Sequence, residues 1–189
     1  MGAGVTAVIA AALAPGRRGP RARGVHHAGV TVSDFEAAVR WYHEHFGFLL
    51  VTEMTLEGES ADQLAALYGR TGLTVRFGFM RGRDGSILEV FQFDPPEPAS
   101  PAVWNRPGYT HVAISVSDVH GWVRRLTERG VEFVTEPQFT AGAHWVFLRD
   151  PDGNLVELID LHHNRLALTH LGGIVGRIHR CTRWAGYYR

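Results

Sequence analysis

Two stretches of this chain alternate apolar and polar residues and nearly repeat one another: Gly24 to Asp34 reads GVHHAGVTVSD, and Gly108 to Asp118 reads GYTHVAISVSD. Superposed, His27 falls on His111, Val30 on Ile114, Val32 on Val116, Ser33 on Ser117 and Asp34 on Asp118. Successive side chains of a strand point to opposite faces. Each copy therefore predicts a strand with one apolar side, Ala28, Val30 and Val32 or Val112, Ile114 and Val116, and one side of small residues carrying a histidine. A stretch repeated in this way signals a duplicated structural unit.

The segments after the two strands repeat as well. Asp34 to Phe46 predicts an amphipathic helix with Asp34 as N-cap, Phe35, Val39, Tyr42 and Phe46 toward the sheet, and Gly47 as its stop. In the second copy Asp118 caps VHGWVRRLTER, with Val119, Trp122, Val123 and Leu126 inward and Gly130 as the stop. His43, His45 and His120, on or near these helices, are expected to be solvated and to carry no chemistry. Three strands complete each unit: 48–55, 74–80 and 86–93, with RGRDG as the hairpin turn, then 131–134, 144–149 and 155–161, with DPDG as the turn. The fold class is α+β, two tandem βαβββ modules over residues 24–94 and 108–161. The linker, 95–107, opens in the proline-rich run DPPEPASP, which cannot join a central strand. Residues 53–72 lengthen the first module and are expected to overhang its cavity.

Composition narrows the class. A chain of 189 residues, 45% hydrophobic and 20% charged, is an ordinary globular protein with room for one core or two small fused ones. Arginine and lysine balance aspartate and glutamate at 19 each, so nothing global points to nucleic acid or a membrane as partner. No apolar run reaches the roughly 20 residues that span a bilayer. The single cysteine, Cys181, excludes an internal disulfide framework and suits a reducing cytoplasm. Residues 1–23 are expected to be a flexible tail, since Arg17, Arg18, Arg21 and Arg23 come after the apolar run from Val5 to Ala14, where an export signal would place them before it. An export signal is the alternative.

The last strand of each module adds a carboxylate. In ILEVFQF, Glu89 shares a face with Phe91 and Phe93; in NLVELIDL, Glu157 shares one with Leu155, Ile159 and Leu161. A carboxylate among apolar neighbours is costly unless it is paired or binds a metal. Each module thus offers one histidine on its first strand and one glutamate on its last.

With these residues in place, the chain resembles the vicinal oxygen chelate superfamily, the group of glyoxalases, epimerases and extradiol dioxygenases. The resemblance covers about Gly24 to Leu161 and rests on HHAGVTVSDFEAAVRWYHEHFGF, ILEVFQF, THVAISVSD and RDPDGNLVELIDL. It implies a curled eight-stranded mixed sheet around one divalent metal, with His27, Glu89, His111 and Glu157 at the ligand positions. His26 competes with His27, and the register against His111 selects His27.

Two imidazoles and two carboxylates suit Zn, Mn, Fe, Co or Ni alike. Four protein ligands on an octahedral ion leave two open positions, enough for a substrate with neighbouring oxygens. The chemistry implied is proton transfer beside a carbonyl, with Glu89 or Glu157 as the base, in a metal-dependent epimerase or isomerase acting on a small-molecule substrate. Residues 53–72 carry several acids and one arginine, which favours a small neutral substrate such as a sugar-derived cyclic ketone, a cyclitol precursor of the epi-valiolone kind, over a glutathione or coenzyme A conjugate. A glyoxalase I-like lyase, an acyl-CoA epimerase, an extradiol-type dioxygenase and an antibiotic-binding resistance protein are the alternatives.

The extension 162–189 goes beyond the resemblance, with five arginines, four histidines and no acid. Leu166, Leu168, Leu171, Ile174, Val175 and Ile178 predict a helix packed on the domain or on the partner in a homodimer, the alternative being an anion-binding flap. His162, His163, His170 and His179 stand at no ligand position of the repeat.

Overall fold

The computed structural model describes residues 22, 24–100, 103–162 and 164–188. Apart from Ala22, the segment expected to be a flexible tail lies outside the described residues, as does His163. The first module runs β1 (His27–Thr31), α1 (Phe35–Phe46), β2 (Leu49–Leu56), two short helical turns α2 (Glu59–Asp62) and α3 (Ala65–Tyr68), β3 (Thr74–Arg81) and β4 (Ile87–Asp94). The second runs β5 (Val112–Ser115), α4 (Val119–Thr127), β6 (Gln138–Thr140), β7 (Ala143–Arg149) and β8 (Leu155–Asp160). A π-helical turn over 166–170, helix α5 (Gly172–Cys181) and a final 3-10 turn complete the chain.

The strands form two four-stranded sheets, ordered β1-β4-β3-β2 and β5-β8-β7-β6, rather than one continuous sheet of eight. In each, the first strand of the module lies parallel to the last and the other pairings are antiparallel. The register sets Gly29 beside Glu89 and Ala113 beside Glu157. Equivalent residues of the repeat therefore occupy equivalent places in the two sheets.

The helix signals act as their chemistry requires. Asp34 accepts a hydrogen bond from the Ala37 amide at 2.9 Å, and Gly47, with φ of 74°, closes α1 in the left-handed conformation. Asp118 accepts from the Gly121 amide at 2.9 Å, and its own amide donates to Asp160 Oδ2 at 3.1 Å. The buried faces of α1 and α4, with Phe35, Ala38, Tyr42, Val119 and Leu126, belong to one apolar core that includes Val90, Val146, Leu148, Val156 and Leu158. Each fully buried large side chain contributes about 1.5–3 kcal/mol.

Polar contacts join the modules as well. Asp150, buried at the β7–β8 turn, accepts from Tyr42 Oη at 3.1 Å and from Asn154 Nδ2 at 2.9 Å. Asn154 also donates to the Thr31 carbonyl, and Asp152 accepts from the Ser33 amide. The rings of Phe46 and Trp122 stack at 5.8 Å. These contacts tie β1 and α1 to the far end of the other module.

Two expectations need correction. Residues 131–134 do not form a strand: Phe133 makes one isolated bridge to Leu148, and the Phe147 amide donates to the Thr135 hydroxyl instead of a backbone carbonyl. Pro137, which lacks an amide hydrogen, comes next, and the edge strand appears only at Gln138–Thr140. His43 is exposed as expected, its Nδ1 2.9 Å from the Phe48 carbonyl, but His45 is only partly exposed and its Nδ1 is buried. The expected C-terminal helix forms, and Leu166, Leu168, Leu171 and Ile174, on or just before it, are 46–62% exposed, uncovered by the domain.

Candidate functional site

Each sheet turns one face to its module's helix and carries a histidine and a glutamate on the other. Glu89 points away from the core because its neighbours Leu88 and Val90, at 3% and 0% exposure, point into it. The period-2 geometry of the strand decides this. His27 on β1 reaches Glu89 with Nε2 2.9 Å from Oε2, and His111 reaches Glu157 with Nε2 3.1 Å from Oε2. The carboxylates are the better shielded partners, their side chains 12% and 13% exposed against 36% and 24% for the imidazoles.

The other ring nitrogen of each histidine is also engaged. His27 Nδ1 lies 2.9 Å from His26 Nδ1, and His111 Nδ1 lies 2.8 Å from the Thr110 hydroxyl. In both cases the residue just before the histidine fixes the ring so that Nε2 faces the glutamate. This is how partners of a ligating imidazole orient it. His26 therefore stands as the orienting neighbour of His27.

Small residues leave room at the carboxylates. Gly29 and Ala113 are the parallel-strand neighbours of Glu89 and Glu157, and a Cβ built on Gly29 would meet nothing nearer than the Phe91 ring at 3.6 Å. Aromatic rings supply the remaining surroundings. Phe79 lies 5.5 Å from His27, while Trp104 and Phe147 lie 5.4 and 5.1 Å from His111. A cavity of about 260 Å³ beside the second pair is lined by Trp104, Val134, Thr135, Trp145, Phe147 and Leu155. A larger groove, about 630 Å³, runs between α1 and residues 129–134 and touches neither pair. Its place away from the His–Glu chemistry makes it the weaker candidate.

The structure thus joins His27 to Glu89 and His111 to Glu157. Among the described residues, no group of three or more His, Cys, Asp or Glu side chains gathers closely enough to hold a metal ion. The pair geometry nonetheless fits metal ligation. Two ligands about 2.1 Å from a metal and at right angles to each other are about 3 Å apart. The observed nitrogen to oxygen separations, 2.9 and 3.1 Å, are those of hydrogen-bonded ion pairs and lie near that spacing as well.

Thr110, Trp104, Phe147 and Phe79 also lie around the pairs, and none of them stood out in the sequence. Thr110 could have been found from its place beside His111. The aromatic residues could not, because in a strand or linker they read as core.

Known proteins share this architecture. The chain is 29% identical over 153 residues to the 2-epi-5-epi-valiolone epimerase of an Actinomyces species, a match covering 77% of this chain and 84% of that one. Among solved structures it is similar to a glyoxalase family protein from Bacillus cereus, with 27% identity, a TM-score of 0.64, and coverage of 77% of this chain and 98% of that one. It shares its fold with the fosfomycin resistance protein FosX of Listeria monocytogenes, solved in a mutant form with Mn(II) and 1S,2S-dihydroxypropylphosphonic acid, at 15% identity and a TM-score of 0.50, over 73% of this chain and 92% of that one. The model of one family matches residues 24–158, from the strand that carries His27 through the strand that carries Glu157, and on that match the chain belongs to the Glyoxalase/Bleomycin resistance protein/Dioxygenase superfamily.

Proposed function

We propose that the protein is a divalent-metal-dependent epimerase or isomerase that moves a proton beside the carbonyl of a small cyclic ketone. The observation that carries this reading is the duplicated His–Glu pair at metal-ligand spacing, in a chain similar to an epimerase. His27, Glu89, His111 and Glu157 would hold the metal, and their mixed nitrogen and oxygen set suits Zn, Mn, Fe, Co or Ni. When bound, the metal would supply a Lewis acid for the carbonyl oxygen.

The remaining work falls to the chain. A carboxylate, Glu89 or Glu157, takes the proton from the carbon next to the carbonyl. Returning it to the opposite face of the same carbon inverts the centre, and returning it to the adjacent carbon isomerises the ketone. The name of the relative makes 2-epi-5-epi-valiolone the reference ketone for the assay.

Bringing four ligands to one ion requires the two pairs to face each other, and within one chain they do not gather among the described residues. A homodimer with a two-fold axis would set His27 and Glu89 of one copy opposite His111 and Glu157 of the other, giving two equivalent sites. Deuterium tests the reaction. Metal-loaded protein incubated with a cyclic α-hydroxy ketone in D2O should return substrate and product labelled at the carbon next to the carbonyl. Oxygen uptake without labelling would instead indicate a dioxygenase.

A further inference from the structure

We infer that the substrate presents a flat, apolar ring to the first module and confines its oxygens to the edge that meets the His–Glu pair. This rests on the proton-transfer reading and narrows its substrate class. Cross-strand partners share a face, so the register places Gly29, Thr31, Phe77, Phe79, Phe91 and Met54 on the same side of the sheet as Glu89. The rings on that face fall in two groups. Phe79 lies 5.5 Å from His27; Phe77 stacks on Phe91 at 5.6 Å, Phe91 on Phe93 at 6.0 Å, and Tyr68 of α3 meets Phe93 edge-on at 5.3 Å. All five residues are partly exposed. They stand outside the apolar core.

The polar groups on that face beyond Glu89 are His27, the hydroxyls of Thr31, beside Phe91, and Thr52, beside Phe79, and Arg81 at its far end, across from Ile87. A ring bearing hydroxyls all round would have to leave several unpaired against phenylalanine, which is unfavourable for each of them. A flat ring instead gains stacking contact. The second pair has the same character, with Trp104 and Phe147 at His111 and Trp145 5.6 Å from Phe147.

Two measurements on metal-loaded protein test the inference. In the first, naphthalene-2,3-diol and catechol are titrated calorimetrically. They present the same pair of oxygens and differ by one flat ring, so the naphthalene diol should bind about 3- to 10-fold tighter. Phe77→Leu and Phe91→Leu, each confirmed folded by thermal melting, should erase that gain by weakening the naphthalene diol more than catechol. In the second, deuterium uptake is compared for 2-hydroxy-1-indanone and 2-epi-5-epi-valiolone, and the indanone should exchange faster.

Equal binding of the two diols, a gain that survives in both leucine variants, or faster exchange of the polyol would overturn the inference. Exchange of neither ketone, with the binding gain intact, would refute the proton-transfer reading while leaving the ligand class standing.

Discussion

The two modules carry the same chemistry on differently finished scaffolds. Their His–Glu pairs agree to 0.2 Å, and each carboxylate has a small residue, Gly29 or Ala113, as its strand neighbour. Away from the pairs they diverge. The first edge strand, β2, has eight residues and leads into α2 and α3, whereas the corresponding β6 has three. The caps differ too: Asp34 is extended at φ −135°, while Asp118 sits in the left-handed region at φ 55°. Aspartate tolerates that region better than most residues. The contrast teaches that the duplicated unit has kept what holds the pair and varied what surrounds it, as expected if the pairs act together and the rims contact different parts of a ligand.

Breaking one pair at a time probes that equivalence most strongly. Glu89→Gln and Glu157→Gln should each lower kcat by about 100-fold or more, the range expected for a lost general base, measured by deuterium exchange under saturating metal. An unequal loss would identify which carboxylate moves the proton and which only holds it. Mixing the two variants after unfolding and refolding sharpens the test. If each site takes one pair from each copy, about a quarter of the sites in a random mixture of dimers regain two intact pairs, and activity should return to that extent.

The shared core comes next in size. Leu148→Ala and Leu126→Ala, one on each side of the interface between sheet and helix, should each cost about 2–5 kcal/mol in denaturant unfolding, because both side chains are fully buried. The polar tie between modules is weaker. Burial raises the Tyr42 hydroxyl far above its ordinary value, so it stays a proton donor to Asp150, and Tyr42→Phe should cost about 1 kcal/mol.

Last is a pH effect confined to the first module. Burial, and after it the nearby Arg129 guanidinium, holds His45 below its ordinary pKa of 6.5. A group lowered in the folded state supports stability above its unfolded pKa and loses that support as pH falls from 6.5 through the folded value. Thermal melting from pH 7 downward should therefore be flatter in His45→Gln than in the parent chain. The equivalent position of the second module is Arg129, not a histidine, so that module offers no matching effect.

Much of this arrangement is legible in the sequence because two periodicities coincide. Alternation within a strand assigns His27 and Glu89 to one face, and repetition between modules assigns His111 and Glu157 to the matching one. The aspartate caps and Gly47 are local signals that depend on few neighbours. The misplaced edge strand at 131–134 had the right composition, but it keeps only one bridge and the Val134 amide's bond to the Phe147 carbonyl before Pro137 interrupts the edge. The aromatic wall stayed hidden for another reason: Phe77, Phe79 and Phe91 alternate as core residues would, and only the position of Glu89 among them shows that their face opens outward. The division into two four-stranded sheets follows the two modules that the repeat predicts, whereas the resemblance implied one curled sheet of eight.

The central claim is that the two pairs are halves of one metal site. Metal content by elemental analysis, with Mn(II) or Zn(II) supplied in excess and then removed by gel filtration, tests it directly in the wild-type chain and in two double variants, His27→Ala with Glu89→Gln and His111→Ala with Glu157→Gln. The expected result is one metal per chain in the wild type and near-complete loss in either double variant, with far-ultraviolet circular dichroism unchanged. Two metals per chain, falling to one when either pair is removed, would show that the pairs act independently and would contradict the account.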